Sequence, residues 1–429
     1  MLAGRSNSGG RLPSQILRAA IIELNGWAHG PYPRAGRMRR ELTMDDLLWR
    51  TRQVIEHERD SMCDELRRNS IDVLAGTASF LDPHRLEVND RTVSAERFVI
   101  AVGTRSARPP NVEFDGQRIL DADGLLRLST IPETLAVVGG GATGLEYASM
   151  AATLGIDVTV VERGQRILDF VDDEIAEALS YHLRGLGVVL RLGDEVQAAR
   201  LTDGMAVLQL RSGEEVTSEI ALYAAGQHGA TDTLNLEAAG VEADARGFIA
   251  VGPNFLTSAT HILAAGEVSS PSLPMSSWDQ GRLAALAAFS EQAASAADLL
   301  PFGIYTIPEI SFVGPNEREL DRKRVPYVAG IARYSELARG EIAGDRAGLL
   351  KLLVHAETRR LLGVHIFGTS ATDLVHIGQT VIAGDLPVDY LTEAAYNMPT
   401  FSEVFRVAAL DACDRLDKSN GRPASASAP

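Results

Sequence analysis

Cysteine is nearly absent from this chain: its 429 residues include only two, Cys63 and Cys413. They lie far apart and in no C-x-x-C pairing, which excludes a disulfide framework, a zinc ribbon and a local redox pair, and fits a reducing, cytoplasmic setting. Long apolar runs are missing too. No stretch approaches the roughly 18 consecutive apolar residues of a membrane span, and the opening MLAGRSNSGG is too polar for a signal-peptide core. A soluble protein with no membrane partner is expected. Positive charge is in deficit, with 41 Lys and Arg against 57 Asp and Glu and a formal charge of −16. That field repels polyanions, so no nucleic acid is expected as partner. Aromatics reach only 6%, yet 45% hydrophobic and 23% charged residues are ordinary for a globular protein. At roughly 150 residues per domain, the length allows about three domains.

What is present alternates strands with helices. A charged helical stretch covers Met44 to Arg68, a short strand is expected at Ile71-Asp72-Val73-Leu74, and a β-branched run at Phe98-Val99-Ile100-Ala101-Val102 closes on Gly103. Leu135-Ala136-Val137-Val138 runs into three glycines, then helical spacing through Leu145, Ala148, Ala152 and Leu154, then the strand Val158-Thr159-Val160-Val161. Strand, tight turn, helix, strand is a parallel crossover unit. A helix from Asp173 to Leu186 and a strand at Val188-Val189-Leu190 repeat the alternation. Two strands around Ala206 to Leu210 and Ile220 to Ala224 look antiparallel, with Ser212-Gly213 between them. From about Ile304 the pattern becomes α+β, with strands near Leu349 to Val354 and Leu362 to Phe367, and 417–429 reads as a disordered tail.

A lone G-x-G-x-x-G is weak evidence, but Gly139-x-Gly141-x-x-Gly144 sits between strand and helix, and the acidic Glu162 ends the next strand. Gly139 permits the tight turn, Gly141 lets backbone approach a pyrophosphate, and Gly144 lets the helix lie close to the strand. The helix N-terminus offers unpaired N–H groups to phosphates, and Glu162 accepts from an adenosine ribose. A 2′-phosphate placed against that carboxylate costs up to about 4 kcal/mol at 4 Å, favouring NAD over NADP. Arg163 and Arg166 could reverse part of that preference or could be solvated loop residues. His355, His365 and His376 match no metal-ligand spacing, so no metal is expected, and Asp172, Asp173 and Glu174 read as helix-capping charges.

These residues are part of a longer resemblance. From about Leu12 to Leu416 the chain resembles the class I FAD-dependent pyridine nucleotide-disulfide oxidoreductases, most closely their soluble, Si-specific NAD(P) transhydrogenase branch. Ala101-Val102-Gly103-Thr104-Arg105 resembles the segment passing near FAD. Gly139 to Glu146 resembles the internal NAD fingerprint, whose glutamate approaches the nicotinamide, and Ala225-Gly226 matches the turn ending that domain. Ile262-Leu263-Ala264-Ala265-Gly266-Glu267 resembles the second FAD motif, Trp278-Asp279-Gln280-Gly281-Arg282 the helix facing the flavin, and Tyr305 to Ile310 the start of a dimerisation domain. The resemblance implies an α/β two-dinucleotide-binding flavoprotein fold with a C-terminal α+β dimerisation domain. Its segments are a partial FAD-binding domain at 1–130, an NAD(P)-binding domain at 131–253, the rest of the FAD domain at 254–298 and dimerisation at 299–416. FAD contacts fall on Ser14, Gln15, Ala78, Gly103, Thr104, Arg105, Gly266, Glu267, Leu273 and Gln280. NAD(P) contacts fall on Gly139, Gly141, Gly144, Glu146, Glu162, Arg163, Arg166 and Gly226.

The departures narrow the expected chemistry. Aligned on Pro13-Ser14, the family's two redox cysteines fall on Ser6 and Arg11 and its lysine on Gln15; the thiol-base histidine falls on Met398, five residues before Glu403. No dithiol can form there, and a thioether cannot move protons. Glu267 stands where the family has an aspartate. The family's first βαβ, with its own glycine motif for FAD, is expected to be missing, because the chain begins inside the cysteine loop. Losing nucleophile and base together points to hydride exchange between NADPH and NAD through FAD in a homodimer, with no catalytic side chain. The alternatives are a dihydrolipoamide dehydrogenase-like disulfide reductase, disfavoured by the absent cysteines, or a flavin-free NAD-binding remnant.

Overall fold

The computed structural model describes residues 11–29, 43–270, 276–289 and 299–419. The chain divides into two compact units, 1–138 with 197–298 and 139–196 with 299–429, so each is built from two separated segments. These units cut across the expected 131–253 segment.

In the first unit, two helices, Arg11–His29 and Met44–Arg68, lie against one another, and Leu17 and Ile21 on one and Leu47 and Leu48 on the other are buried. The second begins where expected because Thr43 and Asp46 form a reciprocal capping box. Ile71 to Leu74 is not a strand: Ile71 and Val73 are exposed, and among the described residues no neighbouring strand takes up their backbone groups. A three-stranded antiparallel sheet, Ala78–Asp82, Arg85–Val88 and Arg91–Ser94, follows instead. Phe98–Ile100 pairs in parallel with Ile262–Ala264, in register Val99 to Leu263. Their core side chains meet Phe80, Leu234 and Ile249 on one face, and Phe255, Leu283 and Ala284 on the other. A second parallel set joins Ile119–Leu120, Ile220–Tyr223 and Thr134–Val138.

That last pairing corrects the expected hairpin. Met205–Leu210 turns at Ser212-Gly213 onto Glu215–Ser218, whereas Ile220–Tyr223 runs parallel to Thr134–Val138. Continuous burial of Ile220, Ala221 and Leu222 is what a parallel strand covered on both faces requires.

The second unit holds the helix Ala142–Thr153, the strand Asp157–Glu162, the helix Asp173–Gly185 and the strand Val189–Leu192, which pairs in parallel with Asp157–Glu162. Its C-terminal part is a five-stranded antiparallel sheet in the order Phe302–Ile304, Glu309–Val313, Leu361–Gly368, Leu349–His355, Tyr327–Arg333. Helices Ala371–Ala383 and Glu403–Ser419 supply core residues Leu374, Val375, Val404, Phe405 and Ala408 to it. The last helix carries 417–419, which were expected in a disordered tail; the remainder of that tail lies outside the described residues.

Candidate functional site: a dinucleotide turn and a pair of glycine loops

The glycine turn opens with Gly139 at φ +110°, a conformation that favours glycine, and its N–H donates to Val161 O at 2.9 Å. Gly140 follows in close quarters, since a Cβ there would stand 3.0 Å from the Glu162 side chain. Gly141 differs. Its φ of −82° and ψ of −179° suit any residue, and a Cβ would meet nothing within 4 Å. Neither strain nor crowding within the fold demands glycine there, which leaves close approach by a ligand. Gly141 is also the N-cap of Ala142–Thr153 and brings no capping side chain. The first-turn N–H groups are therefore left for an anion. Gly144, the third glycine, is buried in the helix.

Glu162, at the end of its strand, is half-buried, and its two carboxylate oxygens accept N–H groups from Gly140 at 2.6 Å and Gly164 at 2.7 Å. Each oxygen has a second lone pair, so ribose hydroxyls can still be accepted. Arg163 is exposed, while Arg166 is ion-paired with Asp173, a residue that also meets Arg318.

Glu146 is 9% exposed, and its carboxylate accepts the Tyr305 N–H at 2.9 Å. One turn on, Ser149 Oγ accepts the Ile307 N–H at 3.1 Å and donates to Glu146 O. The fingerprint helix is thereby hydrogen-bonded to the start of the C-terminal segment. Sequence reasoning missed Ser149, although a serine three residues from a glutamate in an otherwise apolar helix was the available signal.

The first unit brings together five of the ten expected flavin positions, Gly103, Thr104, Gly266, Glu267 and Gln280. The parallel strands Phe98–Ile100 and Ile262–Ala264 each lead, from their carboxyl ends, into a glycine of positive φ, Gly103 at +68° and Gly266 at +83°. Ligands of parallel α/β sheets bind outside such carboxyl ends. A Cβ on Gly103 would meet nothing within 4 Å, and the polar Thr104 and Glu267 follow the two glycines directly. Thr104 Oγ1 lies 2.9 Å from Glu267 Oε2 and 2.5 Å from Gln227 Oε1. One hydroxyl proton serves one acceptor, so the Gln227 amide turned to donate satisfies both contacts. Glu267 is exposed and thus reaches solvent despite its extra methylene. Gln280, 3% exposed, accepts the Gly266 N–H at 2.9 Å and fixes that loop together with Ser269. These loops fit a flavin nucleotide: an open glycine cradle, a fixed turn and a carboxylate at the strand ends.

The remaining positions are dispersed. Ser14 is buried and Gln15 half-buried on the first helix, Arg105 pairs with Asp232, and Ala78 flanks the Phe80–Ile100 core. Gly226, at φ +104°, receives the Ala107 N–H on its carbonyl. Ser6 and Leu273 lie outside the described residues. Met398 is 77% exposed. Cys413 is buried in the last helix, and burial pushes its thiol up to about 11. The three histidines do separate work: His355 accepts N–H groups of Glu357 and Thr358, His376 meets Gln379, and His365 is enclosed in the sheet.

Asp172 caps the helix Asp173–Gly185 as expected, its side chain accepting the Glu174 N–H. Unforeseen was Lys351, fully enclosed in the C-terminal sheet, whose Nζ lies 3.2 Å from Asp172, 2.8 Å from Glu174 and 2.5 Å from Glu317. Burial opposes its charge, but hydrogen bonds to Glu174 and Glu317 outweigh that and raise its pKa. Among the described residues these three carboxylates are the group spaced to hold a metal ion, and the ammonium stands among them.

Among the described residues no helix is long and apolar enough to cross a membrane. A family model described as pyridine nucleotide-disulphide oxidoreductase matches residues 16–289, and one for that family's dimerisation domain matches 300–409. A soluble pyridine nucleotide transhydrogenase of Mycobacterium bovis is 47% identical over 428 residues, spanning 98% of this chain and 92% of its own. One from Azotobacter vinelandii is 40% identical over 416 residues, spanning 95% and 90%. Among solved structures, LpdA from Mycobacterium tuberculosis superposes with a TM-score of 0.85 at 23% identity, over 94% of this chain and 90% of that one. The HOCl-induced flavoprotein disulfide reductase RclA from Escherichia coli gives 0.83 at 23% identity, with the same coverage. At that identity the two structures speak to the fold alone. The family models and the closely similar full-length relatives carry more: this chain belongs to the pyridine nucleotide-disulphide oxidoreductase family.

Proposed function

We propose that this chain is a soluble pyridine nucleotide transhydrogenase, a cytoplasmic homodimer that passes hydride from NADPH to NAD by way of FAD. The observation that carries the reading is the Gly139–Glu162 turn, formed and uncapped, in a chain whose two cysteines are both free. Names of full-length relatives support it. In this reading 131–253 forms the nicotinamide-nucleotide domain, 1–130 and 254–298 the flavin domain, and 299–416 the dimer contact.

Bound FAD would supply the acceptance and return of hydride. The chain's own residues bind and orient. Gly103, Thr104, Gly266 and Glu267 hold the flavin nucleotide, with Gln280 fixing the loop. Gly139 to Gly144 and the helix N-terminus hold a pyrophosphate, and Glu162 accepts from the adenosine ribose. Both nicotinamide nucleotides use this one site, so they enter in turn. No side chain is required to move a proton.

The test is transfer from NADPH to the thionicotinamide analogue of NAD, followed by absorbance, with FAD added to saturation. FAD-dependent transfer is expected, with no reduction of lipoamide. A flavin-loaded protein that transfers nothing, or that reduces lipoamide with NADH at a comparable rate, overturns the reading.

A further inference from the structure

In the proposed nucleotide site, Glu162 stands against the extra phosphate of NADP. Both of its carboxylate oxygens are taken by backbone N–H groups, those of Gly140 and Gly164. The side chain is therefore held in place when charge is brought to the ribose 2′ position, and a cation has to balance the repulsion. The loop that follows Glu162 carries two. It is tied at one end by Gly164, whose N–H donates to Glu162 at 2.7 Å, and at the other by Leu168, whose N–H donates to Gly140 O at 3.1 Å. Arg166 lies between those anchors, on a loop that closes on the glycine turn and its carboxylate.

The two arginines of this loop differ. Arg163 is exposed and in no ion pair among the described residues, so nothing in the fold regulates it. Arg166 is held by Asp173, at the start of helix Asp173–Gly185, and both side chains are half-exposed. Asp173 has a second cation. Arg318 Nε lies 3.5 Å from the same carboxylate oxygen, and Arg318 is itself fixed by donating to the carbonyls of Asp169 and Val171, the latter at 2.8 Å. Arg166 can thus leave without stranding a carboxylate. A half-exposed ion pair contributes little, whereas a phosphate offers a guanidinium charge-assisted, bidentate bonds.

We infer that Asp173 sets the balance between NADP and NAD at this site, withholding Arg166 from a ribose hydroxyl and yielding it to a 2′-phosphate while Arg318 stays as its counter-ion. Asp173 acts through Arg166 and is a positioning residue. The inference rests on the reading of Gly139 to Glu162 as the site of both nicotinamide nucleotides.

Calorimetric titration of the FAD-saturated full chain with ADP-ribose and with its 2′-phosphate tests it, since neither probe carries a nicotinamide and no hydride can move. Arg166→Gln should weaken the phosphorylated probe about tenfold, the scale of one charge-assisted contact, and ADP-ribose far less. Asp173→Asn should tighten the phosphorylated probe several-fold, and Asp173→Glu should keep the native ratio. The gain should vanish in Asp173→Asn/Arg166→Gln, which separates release of Arg166 from mere loss of a negative charge. A gain that survives the double variant, an Asp173→Asn variant in which the two probes shift alike, or an Arg166→Gln variant of unchanged preference would each overturn the inference. Failure of the unaltered protein to bind ADP-ribose would instead remove the nucleotide site itself, and the inference with it.

Discussion

Lys351 carries more consequence than any other single residue outside the nucleotide loops. Its ammonium balances three carboxylates, of which Asp172 is almost wholly enclosed, with a side chain 1% exposed. Removing one partner of a buried ion cluster leaves an uncompensated charge, a loss of about 3–5 kcal/mol. Lys351→Met should lower stability by that order in urea denaturation. The double variant Lys351→Met/Asp172→Asn should recover a large part, because asparagine can still cap the helix while carrying no charge. A double variant as unstable as the single one would show that packing at Lys351, not charge, sets the loss. Nothing local in the sequence announces this cluster: Asp172 and Lys351 are 179 residues apart, and Asp172 reads only as a helix-capping charge.

Among the elements, the turn joining strand Thr134–Val138 to helix Ala142–Thr153 permits a clean comparison of adjacent glycines. Gly141→Ala meets nothing within 4 Å at an ordinary φ, so stability should hold or rise slightly. NADH affinity should nonetheless fall, by tenfold or more, as a methyl group enters the space meant for a pyrophosphate. Gly140→Ala instead presses on Glu162 at 3.0 Å and should reduce both stability and affinity. Fluorescence titration with NADH alongside thermal melts separates the two, and a Gly141→Ala variant with unchanged affinity would remove the turn from the nucleotide site.

This element was the most legible part of the sequence, because its signals are local: an apolar run, glycines, helical spacing and an acid at the next strand's end. The helix Met44–Arg68 was equally plain from its charge pattern. Non-local pairing was not legible. Glu215–Ser218 is short and polar, so the apolar Ile220–Tyr223 looked like the hairpin partner of Met205–Leu210, when its true neighbour, Thr134–Val138, lies over eighty residues earlier. Ile71 to Leu74 has strand composition and no partner. The flavin loops were legible through the family resemblance, whereas the bonds that fix them, from Gln227 and Gln280, needed coordinates.

For the whole molecule, pH is the lever the structure makes explicit. His365 is enclosed, its Nε2 lies 3.0 Å from Pro315 O, and its Nδ1 has no partner among the described residues, the pattern of a neutral imidazole donating from Nε2. Burial lowers its pKa below 6.5, and burial does the same at His182. A histidine held neutral in the fold takes up its proton more readily once unfolded. Stability is therefore intact above about pH 6.5 and declines as pH falls below it, by up to about 1.4 kcal/mol per unit for each such histidine. Carboxylates with lowered pKa, such as Asp121, where burial is outweighed by Arg108, and Asp389, paired with Arg359, act in a more acidic window. Urea melts at pH 7.5, 6.0 and 5.0 should show the decline, and His365→Gln should flatten it. An unchanged slope in that variant would assign the effect elsewhere.

The Lys351 cluster also decides which parts of the chain come apart together. It joins the cap of helix Asp173–Gly185 to a central strand of the C-terminal sheet, and Glu146 and Ser149 receive the backbone of Tyr305 and Ile307. Helix Asp173–Gly185 and strand Leu349–His355 should therefore exchange their amides in one opening event, which hydrogen exchange checks. A nucleotide-binding fragment excised at 131–253 would keep every glycine of the turn and yet leave Asp172 and Glu174 without the ammonium of Lys351.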